Sequence, residues 1–589
     1  MCGISGIFMK DGKAVDPALL AAFERALHHR GPDHDGRFLS GPFALAHNRL
    51  SIVDLVTGDQ PLFGEKGAVL AANGEIYNAP QLRDALKGAH RFNTLSDCEP
   101  AVHLFEIKDL AYADDLRGMY AIALWDPARQ RLVLTRDPFG IKPLYYVETD
   151  ALFAFASEIS ALLDAGLAPR AVNPLRRDEL LQLKYTLGDE TIIPGIKRLL
   201  PGQTLVVENA QVVAERRIEA LPRGVKARPP SDPVAAFDAV MTDSVQAHLI
   251  ADVPVSLFLS GGVDSSILLI LMQRLMQDVT AITVGYEDES LDRSVDESRA
   301  ALAHAARHGV KAERIAMTAE DFYTLAPRIA AAMDDPTCDA AVLPSYMLGK
   351  AAADRGLKVA LCGEGADELF GGYRRYRPKL VDQLIQREKK KRGTFSKTDL
   401  DPLFGHAWRD EHKRLGVEAG RGFSSKIQAL QAADVAQWLP NDLLVKLDRC
   451  LMAHAVEGRT PYLDREVAAF AVTLPDDLRV KGDLGKILMR QWLAGADPAY
   501  PAFAKKKGFI TPVGRWIAAR SATLAPLLAR NPAMREMGAE DKVGPVLERA
   551  ERDSQPAWSL LFYALWHAHH IQGLPVDGDL ESVLASARQ

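Results

Sequence analysis

The sequence predicts two domains of different class: an α+β sandwich over residues 1–205 and an α/β unit on a parallel sheet over residues 233–589, joined by a linker at 206–232. Three observations carry this reading. At 589 residues the chain exceeds the size at which a single hydrophobic core stops growing. Its first third is a succession of short apolar runs divided by Gly, Pro and Asp, the pattern of antiparallel strands and turns. Its middle instead alternates strand, glycine turn and helix, the pattern of parallel strands covered by helices.

In the first region FALAHNRLSIV, AVLAANGEIY, MYAIALWD, RLVLTRD and ALFAFASE read as strands, with helices predicted at 17–29, 79–86 and 99–108. A last hairpin lies near GIKRLLPGQTLVVENAQVV, and EALPRGVKARPPSDP, rich in proline and charge, reads as the linker. Beyond it a helix at 233–249 leads to the strand VPVSLFL, a glycine turn, the helix SSILLILMQRLM and the strand VTAITVGY. KVALCGEGADELFGGY repeats the strand-then-glycine pattern. From about residue 384 the pattern is mainly helical, and REKKKR (387–392) reads as a solvated helix end.

Composition excludes several classes of partner. The chain is 48% hydrophobic and 25% charged, and it has no apolar run long enough to span a membrane. A formal charge of −6 gives no electrostatic reason to expect nucleic acid or an anionic membrane. The five cysteines (Cys2, Cys98, Cys338, Cys362, Cys450) are scattered and form no CxxC pair, as in a reduced cytosolic protein. With no secretory signal pattern at the N-terminus, a cytoplasmic location is expected.

The chemistry concentrates at four places. Cys2 reads either as a small apolar residue opening a buried strand or, once Met1 is removed, as a thiol and an α-amine on one residue. SGGVDSS (260–266) follows a strand and begins a helix, so its N–H groups suit pyrophosphate oxygens, although an ordinary turn reads the same way. It fits neither GxxxxGK[ST] nor GxGxxG, and Asp264 within a phosphate loop calls for a cation such as Mg²⁺. CGEGADELFGGY (362–373) places Glu364, Asp367 and Glu368 close together, as a helix cap or as a second active turn. Ligands of a parallel sheet bind outside the carboxyl ends of its strands, so both turns are expected on one crevice. Asp264 and Asp367 would then share Mg²⁺, leaving Glu364 for proton transfer. Lys506, in KKKGF (505–509), reads as a partner for a leaving pyrophosphate or as part of a solvated loop.

MCGISGIF, HHRGPD, HNRLSIVDL, NGEIYN, SDCE and RDPFGIKPLYY occur in that order, and on them the first half resembles a class II glutamine amidotransferase domain. With SGGVDSS, CGEGADELFGGY, LPNDLLVKLDR, EGRTPYLD and KKKGF following, the chain from Met1 to about Trp516 resembles glutamine-hydrolysing asparagine synthetases of the B type. The resemblance implies an N-terminal-nucleophile hydrolase sandwich followed by an ATP pyrophosphatase (adenine nucleotide alpha hydrolase-like) domain. It implies Cys2 as the nucleophile on glutamine and Asn73 and Gly74 as the oxyanion hole. Arg49 is matched to the glutamine α-carboxylate, Asp97 and Glu75 to its ammonium, and Leu50, Ser51, Ile52 and Val53 to the pocket backbone.

For the second domain the resemblance implies ATP or pyrophosphate contacts at Phe258, Ser260, Gly261, Gly262, Asp264, Ser265, Ser266, Val284, Cys362, Gly363 and Lys506. Asp264 and Asp367 are the implied Mg²⁺ partners, and Glu364 serves formation and amination of β-aspartyl-AMP. The implied substrates are glutamine, aspartate and ATP. An ammonia tunnel is a property of the family, and a homodimer is left open.

Several positions depart from the commonest family wording: Val263, Leu95, Cys362 and GRTPYLD (458–464). Cys362 is expected to keep its backbone contact with nucleotide and, if partly exposed, to be open to oxidation. Gly458 and Thr460 lie in the segment leading to the acceptor site. Two other functions therefore stand beside asparagine synthesis. One is a related amidotransferase acting on another carboxylate, on a peptide, cell-wall precursor or secondary metabolite. The other is a degenerate binding copy, which the presence of Cys2, Asn73, Asp264, Glu364 and Lys506 disfavours.

Overall fold

The computed structural model describes residues 2–226, 228–287, 296–377, 392–505 and 511–587. The strands of the first domain are β1 (Gly3–Met9), β2 (His34–Ser40), β3 (Phe43–Arg49), β4 (Leu62–Phe63), β5 (Val69–Ile76), β6 (Gly118–Asp126), β7 (Arg131–Arg136), β8 (Tyr145–Glu148), β9 (Leu152–Ala156), β10 (Ile196–Arg198), β11 (Gln203–Glu208) and β12 (Gln211–Arg217). They form two six-stranded antiparallel sheets, ordered β10-β8-β9-β1-β3-β2 and β12-β11-β7-β6-β5-β4.

Side-chain alternation along these strands sends one set inward, where Ile4, Phe8, Phe43 and Leu45 of the first sheet meet Val69, Ala71, Trp125 and Leu134 of the second. Phe43 stacks on Trp125 at 4.2 Å between ring centres. The outer faces are covered by helices: Pro17–Leu27 and Ile159–Asp164 on the first sheet, Ala79–Leu86 and Glu99–Lys108 on the second. The first of these starts where the sequence dictates, with Pro17 at its first turn and the Asp16 carboxylate accepting from the Ala18 N–H at 2.8 Å. The result is a four-layer αββα sandwich, the N-terminal-nucleophile hydrolase architecture. Its second sheet runs on past residue 205, because β11 pairs with both β7 and β12.

The helix Pro233–His248 opens the second domain, capped by the Asp232 carboxylate, which accepts from the Val234 and Ala235 N–H groups. Here β13 (Val255–Phe258), β14 (Thr280–Tyr286), β15 (Lys311–Met317), β16 (Val359–Leu361) and β17 (Glu457–Arg459) form a parallel sheet ordered β15-β14-β13-β16-β17. The strand order reverses between β13 and β16, which opens a crevice at their carboxyl ends. SGGVDSS leaves β13 and CGEGADELFGGY leaves β16 at this point.

Most of REKKKR, through residue 391, lies outside the described residues. The following region is mainly helical, yet it contributes β17. Those three residues, Glu457, Gly458 and Arg459, join the sheet through backbone pairing and show no apolar alternation that would announce a strand. No described helix is long and apolar enough to cross a membrane.

Candidate active sites

The first site lies where the N-terminus meets β3 and β5. Cys2 is buried, which pushes its thiol up, against the pull of a hydrogen bond from the Leu50 N–H. The Cys2 N–H donates to Asn73 Oδ1 at 3.0 Å. That bond fixes the amide of Asn73, whose buried Nδ2 has no hydrogen-bond partner among the described residues and is a donor available to an oxygen. The next residue must be glycine: a Cβ on Gly74 would lie 2.1 Å from the Met119 carbonyl oxygen, across the β5–β6 pairing.

Arg49, at the end of β3, is almost wholly buried and holds its fork with three acceptors. Its Nη1 donates to Asp59 Oδ1 at 2.6 Å, and its Nη2 to the carbonyls of Val53 (3.2 Å) and Asp54. Asp59 is half exposed, so one tooth of the fork faces a replaceable carboxylate. Glu75 and Asp97 are buried side by side. Burial raises both carboxyls, with Asp97 adding to the rise at Glu75 and the Ile76 N–H (2.6 Å) opposing it at Asp97. Ser51 and Ile52 are fixed through their backbones, to Asp33 and to the Asp252 N–H of the second domain. The structure thus gathers Cys2, Arg49 to Val53, Asn73, Gly74, Glu75 and Asp97 at one place.

The second site is a cavity of about 760 Å³ at the carboxyl ends of the parallel strands. Phe258, Ser260, Gly261, Gly262, Asp264, Ser265, Val284, Cys362, Gly363, Glu364 and Asp367 all line it. Gly261 (φ +75°) and Gly365 (φ +90°) turn the two loops through a conformation costly for other residues. No side chain caps the helix Val263–Leu275, which leaves its positive end open to the cavity. Ser266 is the exception among the expected contacts: it is fully buried inside that helix and does not line the cavity.

Asp264 and Asp367 converge, and a side chain absent from the sequence reading stands between them. Lys486 Nζ lies 2.6 Å from both oxygens of Asp264 and 2.8 Å from Asp367. Burial pulls its ammonium down, but the two acids hold it above the ordinary lysine value. Glu364 is raised by burial and by Asp264 and Asp367, against Lys446. Glu368 is pushed up to about 7 by burial and Asp367, and it accepts from the Tyr373 hydroxyl at 2.6 Å.

One expectation changes. Cys362 is not exposed: it is 2% accessible, its thiol faces the Ala360 carbonyl, and burial raises it well above the usual thiol value, which removes the basis for facile oxidation. Gly458 and Thr460 are buried in and after β17, and neither lines the cavity. Lys506 lies outside the described residues, while its neighbour Lys505 lines the cavity.

A buried charge network joins the two sites. Arg30, in HHRGPD, donates to the Cys2 carbonyl (3.2 Å), to Glu158 (2.6 Å) and to Asp448 of the second domain (2.8 and 3.0 Å). Arg449 continues it to Asp448 (2.8 Å) and Asp334 (2.6 Å). Asp448 and Arg449 belong to the helix Val445–Met452, whose Lys446, Leu447 and Leu451 line the cavity. A second link joins Arg459 of β17 to Glu75 at 3.3 Å. Arg30 and Asp448 sit in motifs that the sequence singles out, but their pairing across 418 positions carries no sequence signal.

Comparison with known proteins agrees with this architecture. Residues 236–568 match the asparagine synthase family, and residues 1–217 match the glutamine amidotransferase domain. The chain is 29% identical to asparagine synthetase [glutamine-hydrolyzing] 1 of Bacillus subtilis, with 97% of each chain covered. It is 30% identical to a putative asparagine synthetase of Mycobacterium tuberculosis, over 97% of this chain and 98% of that one. Against asparagine synthetase B of Escherichia coli the identity is 29%, over 88% and 83%. The chain therefore belongs to the asparagine synthase family and carries a glutamine amidotransferase domain at its N-terminal end.

Proposed function

We propose that this protein makes asparagine from aspartate, with ATP as the activating substrate and glutamine as the source of ammonia. The observation that carries the reading is the helix Val445–Met452: one side lines the phosphate cavity and the other is bonded, through Asp448 and Arg30, to the carbonyl of Cys2. A shared element between a nucleophilic cysteine and a phosphate cavity suits transfer of a product from one to the other.

In the first half-reaction Met1 is removed and the Cys2 nitrogen becomes an α-amine, with an ordinary pKa of about 7.7 to 8.0. It takes the thiol proton as sulfur attacks the side-chain carbonyl of glutamine. The oxygen that gains charge is received by Asn73 Nδ2 and the Gly74 N–H, while Arg49 binds the α-carboxylate and Glu75 and Asp97 the α-ammonium. Ammonia leaves with a proton returned by the amine, and water hydrolyses the thioester to glutamate.

In the second, an aspartate carboxylate oxygen attacks the α-phosphorus of ATP and pyrophosphate leaves, forming β-aspartyl-AMP; ammonia then displaces AMP. The open helix end and the 260–265 loop hold the pyrophosphate, with Lys505 on the cavity wall. Glu364, a carboxylate on the cavity wall, takes the proton that the attacking ammonia must lose. Asp264 and Asp367 offer hard oxygen donors that converge on the cationic Lys486, the donor type that Mg²⁺ takes. Mg²⁺, when bound, would neutralise pyrophosphate charge.

The test is pyrophosphate release with Mg²⁺-ATP and glutamine, with and without aspartate, while asparagine is followed by chromatography. Aspartate-dependent pyrophosphate matched by asparagine is the expected result. Glutamine hydrolysis with no response to aspartate would move the acceptor to another carboxylate.

A further inference from the structure

Behind the pyrophosphate loop, outside both sites, two histidines and an aspartate meet. The helix Ser298–Arg307 carries His304, and His308 follows one turn later on the same face. Asp497 ends the helix Ile487–Ala496 and points at both. His304 Nδ1 and His308 Nε2 each lie 3.2 Å from Asp497 Oδ2, and all three donor atoms fall within 4.8 Å of one another. Ligands about 2.0 to 2.1 Å from a tetrahedral zinc are about 3.3 Å apart, so the two histidine–aspartate separations match that geometry.

The surroundings suit a metal ligand set. His304 Nε2 faces the Ser266 carbonyl at 3.5 Å, which directs the ring proton there and leaves the Nδ1 lone pair toward the cluster. Asp497 Oδ1 is held by the Ala499 N–H at 3.1 Å, so only Oδ2 is turned to the histidines. His304 and Asp497 are buried, and His308 is partly open.

A cation already stands at the meeting point. Arg307 Nη2 lies 3.0 Å from Asp497 Oδ2 and 3.1 Å from His304 Nδ1. Its side chain is 37% exposed, and among the described residues its Nη1 makes only a long 3.5 Å contact to the Ala303 carbonyl, so the guanidinium can leave toward solvent.

We propose that His304, His308 and Asp497 form a site for a zinc-like divalent cation, which enters by displacing the Arg307 guanidinium and takes water as a fourth ligand. Two imidazoles and one carboxylate select a borderline metal over Mg²⁺ or Ca²⁺. The site abuts the catalytic loop. Tyr500, three residues beyond Asp497, packs on His304 at 5.1 Å and donates its hydroxyl to the Gly261 carbonyl at 2.8 Å. A bound metal would therefore fix the turn that holds Gly261.

Full-length protein stripped with a chelator is titrated with Zn²⁺ against a chromophoric competitor, then with Co²⁺ while visible absorption is followed. The expected result is one equivalent of Zn²⁺ and the intense Co²⁺ bands of a four-coordinate centre. His308→Ala, at a partly open position, weakens uptake by at least about tenfold. Arg307→Ala keeps all three ligands, removes the competitor and tightens uptake. No uptake by Arg307→Ala, or uptake equal in His308→Ala and the parent protein, overturns the proposal.

Discussion

Asp59 occupies the place on Arg49 where the α-carboxylate of glutamine is proposed to bind, so its removal should improve glutamine binding. The contact is one charge-assisted hydrogen bond at 2.6 Å, between a side chain 6% exposed and one 48% exposed. Hydrogen bonds to charged groups contribute about 1.5 to 3 kcal/mol when shielded, and exposed pairs about 0.2 to 1 kcal/mol. With Asp59 half in water, about 1 kcal/mol is a reasonable value, or roughly fivefold in affinity. Asp59→Ala is thus expected to lower the KM for glutamine roughly fivefold with kcat unchanged. Asp59→Asn, which keeps an acceptor without its charge, should fall between. The assay is steady-state glutamate release across glutamine concentration, with ammonium-dependent synthesis as the control that should not move. A KM that stays constant or rises in Asp59→Ala would refute the competition and leave Asp59 as a brace for the guanidinium.

Four further outcomes are expected. Cys2→Ala should abolish glutamine-dependent synthesis and spare synthesis from added ammonium, and loss of both would contradict the division between the sites. Glu364→Gln should cripple AMP formation while glutamate release stays measurable. Asp448→Ala strips a partner from buried Arg30 and Arg449; with Glu158 and Asp334 still in place, a loss near the lower end of the about 3 to 5 kcal/mol for a broken buried pair should appear in urea unfolding. Glu368, held at about 7 in the fold against an ordinary 4.5, binds a proton more readily folded than unfolded. Its contribution is therefore full at low pH and lost as pH rises through about 7, so Glu368→Gln should gain stability relative to the parent protein across that interval.

Much of the molecule is readable from local pattern. The strand runs of the first domain, the capped helices at Pro17 and Pro233 and the two glycine turns all follow from residues close in sequence. The clustering of Cys2, Arg49, Asn73 and Asp97 was legible because each member sits in a short motif. Lys486 was not, since it reaches Asp264 across 222 positions from a stretch, VKGDLGK, that resembles any lysine-bearing turn. Burial of Cys362 was equally hidden, because it comes from packing under Phe258, Ile282 and Leu451 rather than from its neighbours in the chain. Arg30 shows the general difficulty: nothing in HHRGPD names its partner, and the meeting of both domains makes it a core residue.

The Arg30–Asp448 contact also bears on how this protein can be handled. Severing the chain at 218–232 would leave one half with a guanidinium shaped for an absent acid, and the other with Asp448 and Arg459 turned to water beside newly bared apolar surface. Neither fragment would inherit a finished exterior. Mixed together they should re-form a tight complex that resists salt, since the charges that join them are shut away from mobile ions. Each alone should be prone to clump. The two halves are best regarded as one folding partnership written in a single reading frame.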